Sequence, residues 1–80
     1  MTIHQFPLQG EFIELNVLLK LLGLASSGGA AKALIAAGAV AVDGSGETRV
    51  RRKLRAGQVV TVADQEIRIA ADRPTAEPPP

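Results

Sequence analysis

At 80 residues the chain is one small domain, near the lower limit at which a single core holds unaided. It has no cysteine, so disulfides and thiolate metal sites are excluded and stability must come from aliphatic packing. The formal net charge of +1 hides an asymmetry: residues 1–48 sum to −2, whereas residues 49–80 sum to +3. Five cations fall in one heptad without an acid, Arg49-Val50-Arg51-Arg52-Lys53-Leu54-Arg55.

Residues 1–11 carry a weak pattern, which reads as an extended lead-in or a short edge strand. No basic segment leads into an apolar run there, which argues against a secretory signal. From Glu14 the period becomes helical: Leu15, Leu18, Leu19 and Leu22 fall at i, i+3, i+4 and i+7 and form one apolar face. Gly23 follows, where a left-handed cap costs least. The apolar stretch from Val17 to Ala25 is broken by Lys20 and is far too short to span a bilayer. A soluble, cytoplasmic protein is expected, which the lack of cysteine fits.

Ser26 or Ser27 offers a hydroxyl N-cap for a second helix, in which Ala31, Leu34 and Ile35 repeat the spacing before Gly38 ends it. The short connection predicts that the two helices pack as a hairpin. Beyond Gly38 the period is two. Val40 and Val42 alternate ahead of the turn formers Asp43-Gly44-Ser45-Gly46. Thr48 and Val50 alternate with Glu47, Arg49 and Arg51, so a strand here would show its basic residues on one face. Ala56-Gly57 punctuates; Val60 and Val62 alternate, Asp64-Gln65 turns, and Ile67 and Ile69 complete a hairpin. The proline-rich run DRPTAEPPP, residues 72–80, has no apolar period and reads as a disordered tail. The fold class is therefore α+β: two packed helices followed by a small, mostly antiparallel β-sheet, over residues 12–71.

Catalysis finds little support. The sole histidine, His4, has no acid or nucleophile beside it and reads as a solvated surface group. No carboxylate pair has acid–base or metal-ligand spacing, and capping explains Ser26 and Ser27 better than nucleophilic attack does. No enzyme, cofactor or metal is expected. Gly28-Gly29 ahead of a helix offers backbone N–H groups to a phosphate. The nucleotide-gripping pattern GxxxxGK[ST] is absent, however, since Lys32 is followed by Ala33. Two readings of the glycines stay open: contact with nucleic-acid phosphate, or first-turn residues that let two backbones approach. The basic heptad points further. A run of charge is often only a solvated face, but five cations without local acids repel one another, and a polyanion relieves that. Arginine's planar fork suits phosphate. With Phe6 and Phe12 the only aromatic residues, reading of a folded RNA by backbone and shape fits better than an aromatic single-strand platform.

In their order these motifs resemble the S4 RNA-binding domain, and in particular the small free-standing bacterial proteins made of that module alone. The likeness is carried by Leu18-Leu19-Lys20 with Gly23, and by Ser27-Gly28-Gly29 with Ala31-Lys32. It continues through Ile35, Gly38, Val40, Val42-Asp43-Gly44, Glu47 with Arg49, and Lys53-Leu54 with Gly57, covering roughly residues 12–69 in one register. The resemblance implies two helices on a small curved sheet, with RNA contacted by the start of the second helix and nearby strand and loop residues. Carried over by position, the RNA-binding residues are Ser27, Gly28, Gly29 and Lys32, with Arg49, Arg51, Arg52, Lys53 and Arg55. Many members of the wider family have an arginine where this chain has Gly28 and an acid where it has Ala30. The departure shifts the expected grip toward the basic strand and loop. The expected function is binding of structured RNA, ribosomal or transfer RNA among the candidates, by a monomer without a membrane role. The rivals are a module docking its basic patch on an acidic protein partner in a ribosome-associated or RNA-processing assembly, and an accessory domain acting in trans with an RNA-modifying enzyme.

Overall fold

The two apolar periods of the sequence become two layers around one core in the computed structural model, which describes residues 2–71. In chain order the elements are β1 (Thr2–Leu8), β2 (Ile13–Glu14), α1 (Leu15–Leu21), α2 (Gly28–Ala36), β3 (Val40–Val42), β4 (Ser45–Gly46), β5 (Lys53–Leu54), β6 (Val59–Val62) and β7 (Gln65–Ala71). The architecture is α+β, with two helices against a mostly antiparallel five-stranded sheet of order β1-β7-β6-β3-β4 and a separate β2-β5 pair. The proline-rich run 72–80 lies outside the described residues.

Each helix buries the face that its spacing predicts. Leu15, Leu18 and Leu19 of α1 and Ala31 and Ile35 of α2 are fully buried, in one cluster with Val40, Val60, Leu54 and Ile67 of the strands. Removing each large aliphatic side chain from water contributes roughly 1.5–3 kcal/mol, the main stabilising force in so small a domain. Both helices end alike. Leu24 N–H reaches the Leu19 carbonyl and Gly23 N–H that of Lys20; Ala39 and Gly38 do the same to Leu34 and Ile35. In these paired closures the glycines take φ of +75° and +79°, a conformation cheap only without a β-carbon.

Of the two readings of the N-terminal segment, the edge strand is the one seen: β1 lies at the sheet edge, pairs in parallel with β7 from Thr2↔Gln65 to Leu8↔Ala71 and turns Phe6 and Leu8 inward. The structure corrects the sequence in three other places. His4, on the same inward face, is half-buried rather than solvated, and its Nε2 donates to Gln65 Oε1 at 2.6 Å. The β6–β7 hairpin turns at Ala63-Asp64, one residue earlier than expected, because Gln65 is already paired with Val62.

The third correction bears on function. Residues 47–52 form no strand. The polar groups that a sheet ladder would need are committed elsewhere. Leu15 N–H bonds the Arg52 carbonyl at 2.9 Å and Asn16 N–H the Val50 carbonyl at 3.1 Å, while the Arg49 amide bonds the Glu47 carboxylate at 3.0 Å. The basic segment is thus a loop that completes the α1 N-terminus. Glu14 at the N-cap makes no side-chain cap, and the loop carbonyls satisfy first-turn donors in its place.

Candidate nucleic-acid interface

The loop is fastened at three points. Leu54 is fully buried, Val50 packs half-buried against the core, and the two α1 amides hold the backbone between them. The cations on either side of these anchors therefore point outward. Arg49, Arg51, Arg52 and Lys53 line one open surface cleft of about 410 Å³.

A carboxylate organises the cluster. Glu47 is buried, 6% exposed, and accepts Arg49 Nε at 3.0 Å and Arg52 Nη1 at 2.5 Å besides the Arg49 amide. The side-chain bond from Arg49, then its backbone amide, then Arg52 hold the Glu47 carboxyl down at about 2, against an ordinary 4.5. Arg49 is raised in turn by the same bond. The expectation of five cations without a nearby acid is thereby corrected: two of the five are paired. Arg51 and Lys53 make no ion pair among the described residues, and the Arg55 side chain donates only to the Glu11 carbonyl, at 3.3 Å. These three are exposed. Sequence reading missed Glu47 as a positioning group because it lies just outside the basic heptad, two residues before Arg49 and five before Arg52.

The other expected residues sit at the start of α2. Ser27 is the N-cap, its Oγ accepting the Ala30 N–H at 3.1 Å, so its hydroxyl acts as punctuation. Gly28, Gly29 and Lys32 are exposed, and the Gly28 and Gly29 amides have no acceptor among the described residues. No backbone approaches these glycines. A β-carbon built at Gly28 meets nothing within 4 Å, and one at Gly29 meets only Ser27 Oγ at 3.8 Å. The reading of the pair as a close-approach device is overturned.

The two groups do not share one cleft. The loop adjoins the N-terminus of α1, whereas α2 begins beyond the C-terminus of α1, and no α2 residue lines the basic cleft. Among the described residues no group of three or more metal-ligating side chains gathers, and no helix is long and apolar enough to cross a membrane.

Known proteins are similar to this chain in sequence and in fold. A family model described as the S4 domain matches residues 6–70. The chain is 49% identical over 59 residues, 74% of its length and 84% of the relative's, to "Putative RNA-binding protein YbcJ" of Escherichia coli strain K12. The same figures hold for a YbcJ protein of Shigella flexneri. A solution structure of YbcJ from E. coli, described as revealing an "alfaL motif involved in RNA-binding", superposes with a TM-score of 0.64. It is 42% identical and matches over 89% of each chain.

Proposed function

The chain belongs to the S4 domain family, and from that premise we propose that it is a non-enzymatic, cytoplasmic module that binds structured RNA. The observation that carries this reading is the display of Arg51, Lys53 and Arg55 on an anchored loop while Glu47 occupies Arg49 and Arg52. Paired arginines hold the loop's shape; free cations meet phosphate. The naming of a relative 49% identical as an RNA-binding protein supports the same reading. The free amides of Gly28 and Gly29, with Lys32 a turn further on, supply a second, weaker contact, and RNA shape supplies most of the selectivity.

The test is fluorescence anisotropy against an RNA hairpin, a matched DNA duplex and a single strand across salt. Three phosphate contacts predict that log affinity falls with log salt at a slope of roughly −2 to −3. Replacing Arg51, Lys53 and Arg55 together by glutamine should flatten that slope and leave the melting temperature nearly unchanged. Absence of binding to every nucleic acid at low salt overturns the reading and favours an acidic protein partner.

A further inference from the structure

Phe12 is one of only two aromatic residues in the chain, and it is exposed at 39%. It directly precedes β2, whose pairing with β5 places Glu14 opposite Lys53 and Ile13 opposite Leu54, so Phe12 adjoins the cations that flank Leu54. Lys53 Nζ lies 4.8 Å and Arg55 Cζ 5.9 Å from the ring centroid. The Arg55 guanidinium is steadied there by the Glu11 carbonyl. Phe12 also lines a cleft of about 420 Å³ with Phe6, Pro7, Leu8, Ile13 and Leu21, in which Gln9 is the one polar lining residue and no charged side chain takes part. Leu21 stands 64% exposed at its edge.

This surface joins a mostly apolar hollow, lined in part by the Phe12 ring, to two cations gathered over that ring. A base would enter from the hollow while the cations stay beside it. An aliphatic ligand would leave the cations without a partner, and a bare phosphate would leave the hollow empty. A nucleotide whose base is out of a helix satisfies both, since every base has a π-face and its sugar carries an anion.

We propose that Phe12 is a stacking residue for one unpaired nucleotide of the bound RNA, with Lys53 and Arg55 holding that nucleotide's phosphate. The proposal rests on the RNA reading and deepens it: the preferred target is a helix with an unpaired nucleotide beside it, not an uninterrupted duplex. The low aromatic content argued against a stacking platform, but one ring in the right place serves one base.

The test uses the full chain and two RNA hairpins, one fully paired to its end and one carrying a three-nucleotide unpaired flank. Phe12→Leu keeps the apolar bulk and removes the ring. It should weaken binding to the flanked hairpin by about 5- to 150-fold, the range of one stacked base, and leave binding to the blunt hairpin unchanged. Phe12→Trp introduces the only tryptophan of the chain, and the flanked hairpin should quench its emission strongly while the blunt one does not. Thermal melts of both variants check that the exposed position leaves the fold intact. Equal binding of both hairpins by wild type and Phe12→Leu, or unquenched emission from a bound Phe12→Trp complex, overturns the stacking proposal while the RNA reading stands. Failure of the wild-type chain to bind either hairpin overturns both. Quenching by polyglutamate but not by RNA overturns the proposal in favour of an acidic polypeptide.

Discussion

The two regions to which the S4 resemblance points, the start of α2 and the loop over residues 47–55, are built in opposite ways. The first is a plain helix end: a serine cap, two open glycines and a single cation, all exposed. The second has no regular structure over most of its length, yet it is tied to the core by Leu54 and Val50, to α1 by two backbone bonds and to itself through Glu47. The contrast teaches that order in a binding surface comes from anchoring and not from secondary structure. A helix end offers donors at no structural expense, whereas five neighbouring cations need a buried acid and apolar pegs to stay in one shape.

If Leu54 is the peg, truncating it gives the largest effect. Leu54→Ala removes a fully buried side chain and should cost about 2–5 kcal/mol, lowering the melting temperature by roughly 10 °C or more. Leu21→Ala, at an exposed position, should stay within about 0.5 kcal/mol of wild type. Thermal melts of the two variants side by side check this. Equal losses would mean that the loop is not anchored through the core.

Glu47→Gln tests the acid. It keeps the shape but forfeits the charge that binds Arg49 and Arg52, at a cost of about 1–3 kcal/mol near neutral pH. The pH dependence distinguishes this from generic damage. The Glu47 carboxyl is depressed from 4.5 to about 2 in the folded chain, so the unfolded chain binds more protons in that window. Its contribution is therefore fully present above pH 4.5 and lost as the pH falls toward 2. Asp43, lowered by the Val59 amide, then by Gln58 and least by Arg52, acts in the same sense in both proteins. The stability curves of wild type and Glu47→Gln should run a constant distance apart above pH 4.5 and close up as the pH falls from 4.5 toward 2. A gap that stays constant across that fall would deny Glu47 this role.

The same contrast explains what was legible in the sequence. The helices declared themselves because their signals are local: Leu15, Leu18 and Leu19 at helical spacing, Ser27 before Gly28, and Gly23 and Gly38 after the last turns. The valine and isoleucine hairpin was readable from its period of two, with only its turn displaced. The basic residues were visible as charges, but their arrangement was not. Alternation from Glu47 to Arg51 mimics a strand, and the bonds that override it come from Leu15 and Asn16, far away in the chain. In the same way, β1 owes its place to β7 at the other end of the domain, and no local pattern in a segment holding Pro7 announces a parallel partner. Phe12 escaped notice as a site residue because its neighbours Lys53 and Arg55 are brought to it by the β2–β5 pairing.

At the start of α2 the expected effects are smaller, and they separate capping from contact. Ser27→Ala removes the acceptor of the Ala30 amide and should cost about 1 kcal/mol, whereas Ser27→Gly should cost only a few tenths. If the hydroxyl also meets RNA, both variants lose affinity alike although the alanine variant loses the more stability. Melting and anisotropy on the same samples decide it.

Gly29→Ala should have the smallest effect on the fold. The added β-carbon meets only the Ser27 hydroxyl at ordinary contact distance, and alanine favours a helix over glycine by at most about 1 kcal/mol, so melting should hold or rise slightly. Binding should respond in the other direction, because a methyl group over the free amides keeps a phosphate from closing on them, and Gly29→Leu should enlarge the loss. Lys32→Gln belongs to the same contact and should flatten the salt slope by less than one, against two to three for the loop triple. A loss of affinity in the glycine variants with undiminished melting would make the helix end a true second contact. Unchanged affinity in all of them would leave the anchored loop as the whole of the electrostatic grip, and the bare helix end would then be only the beginning of a helix.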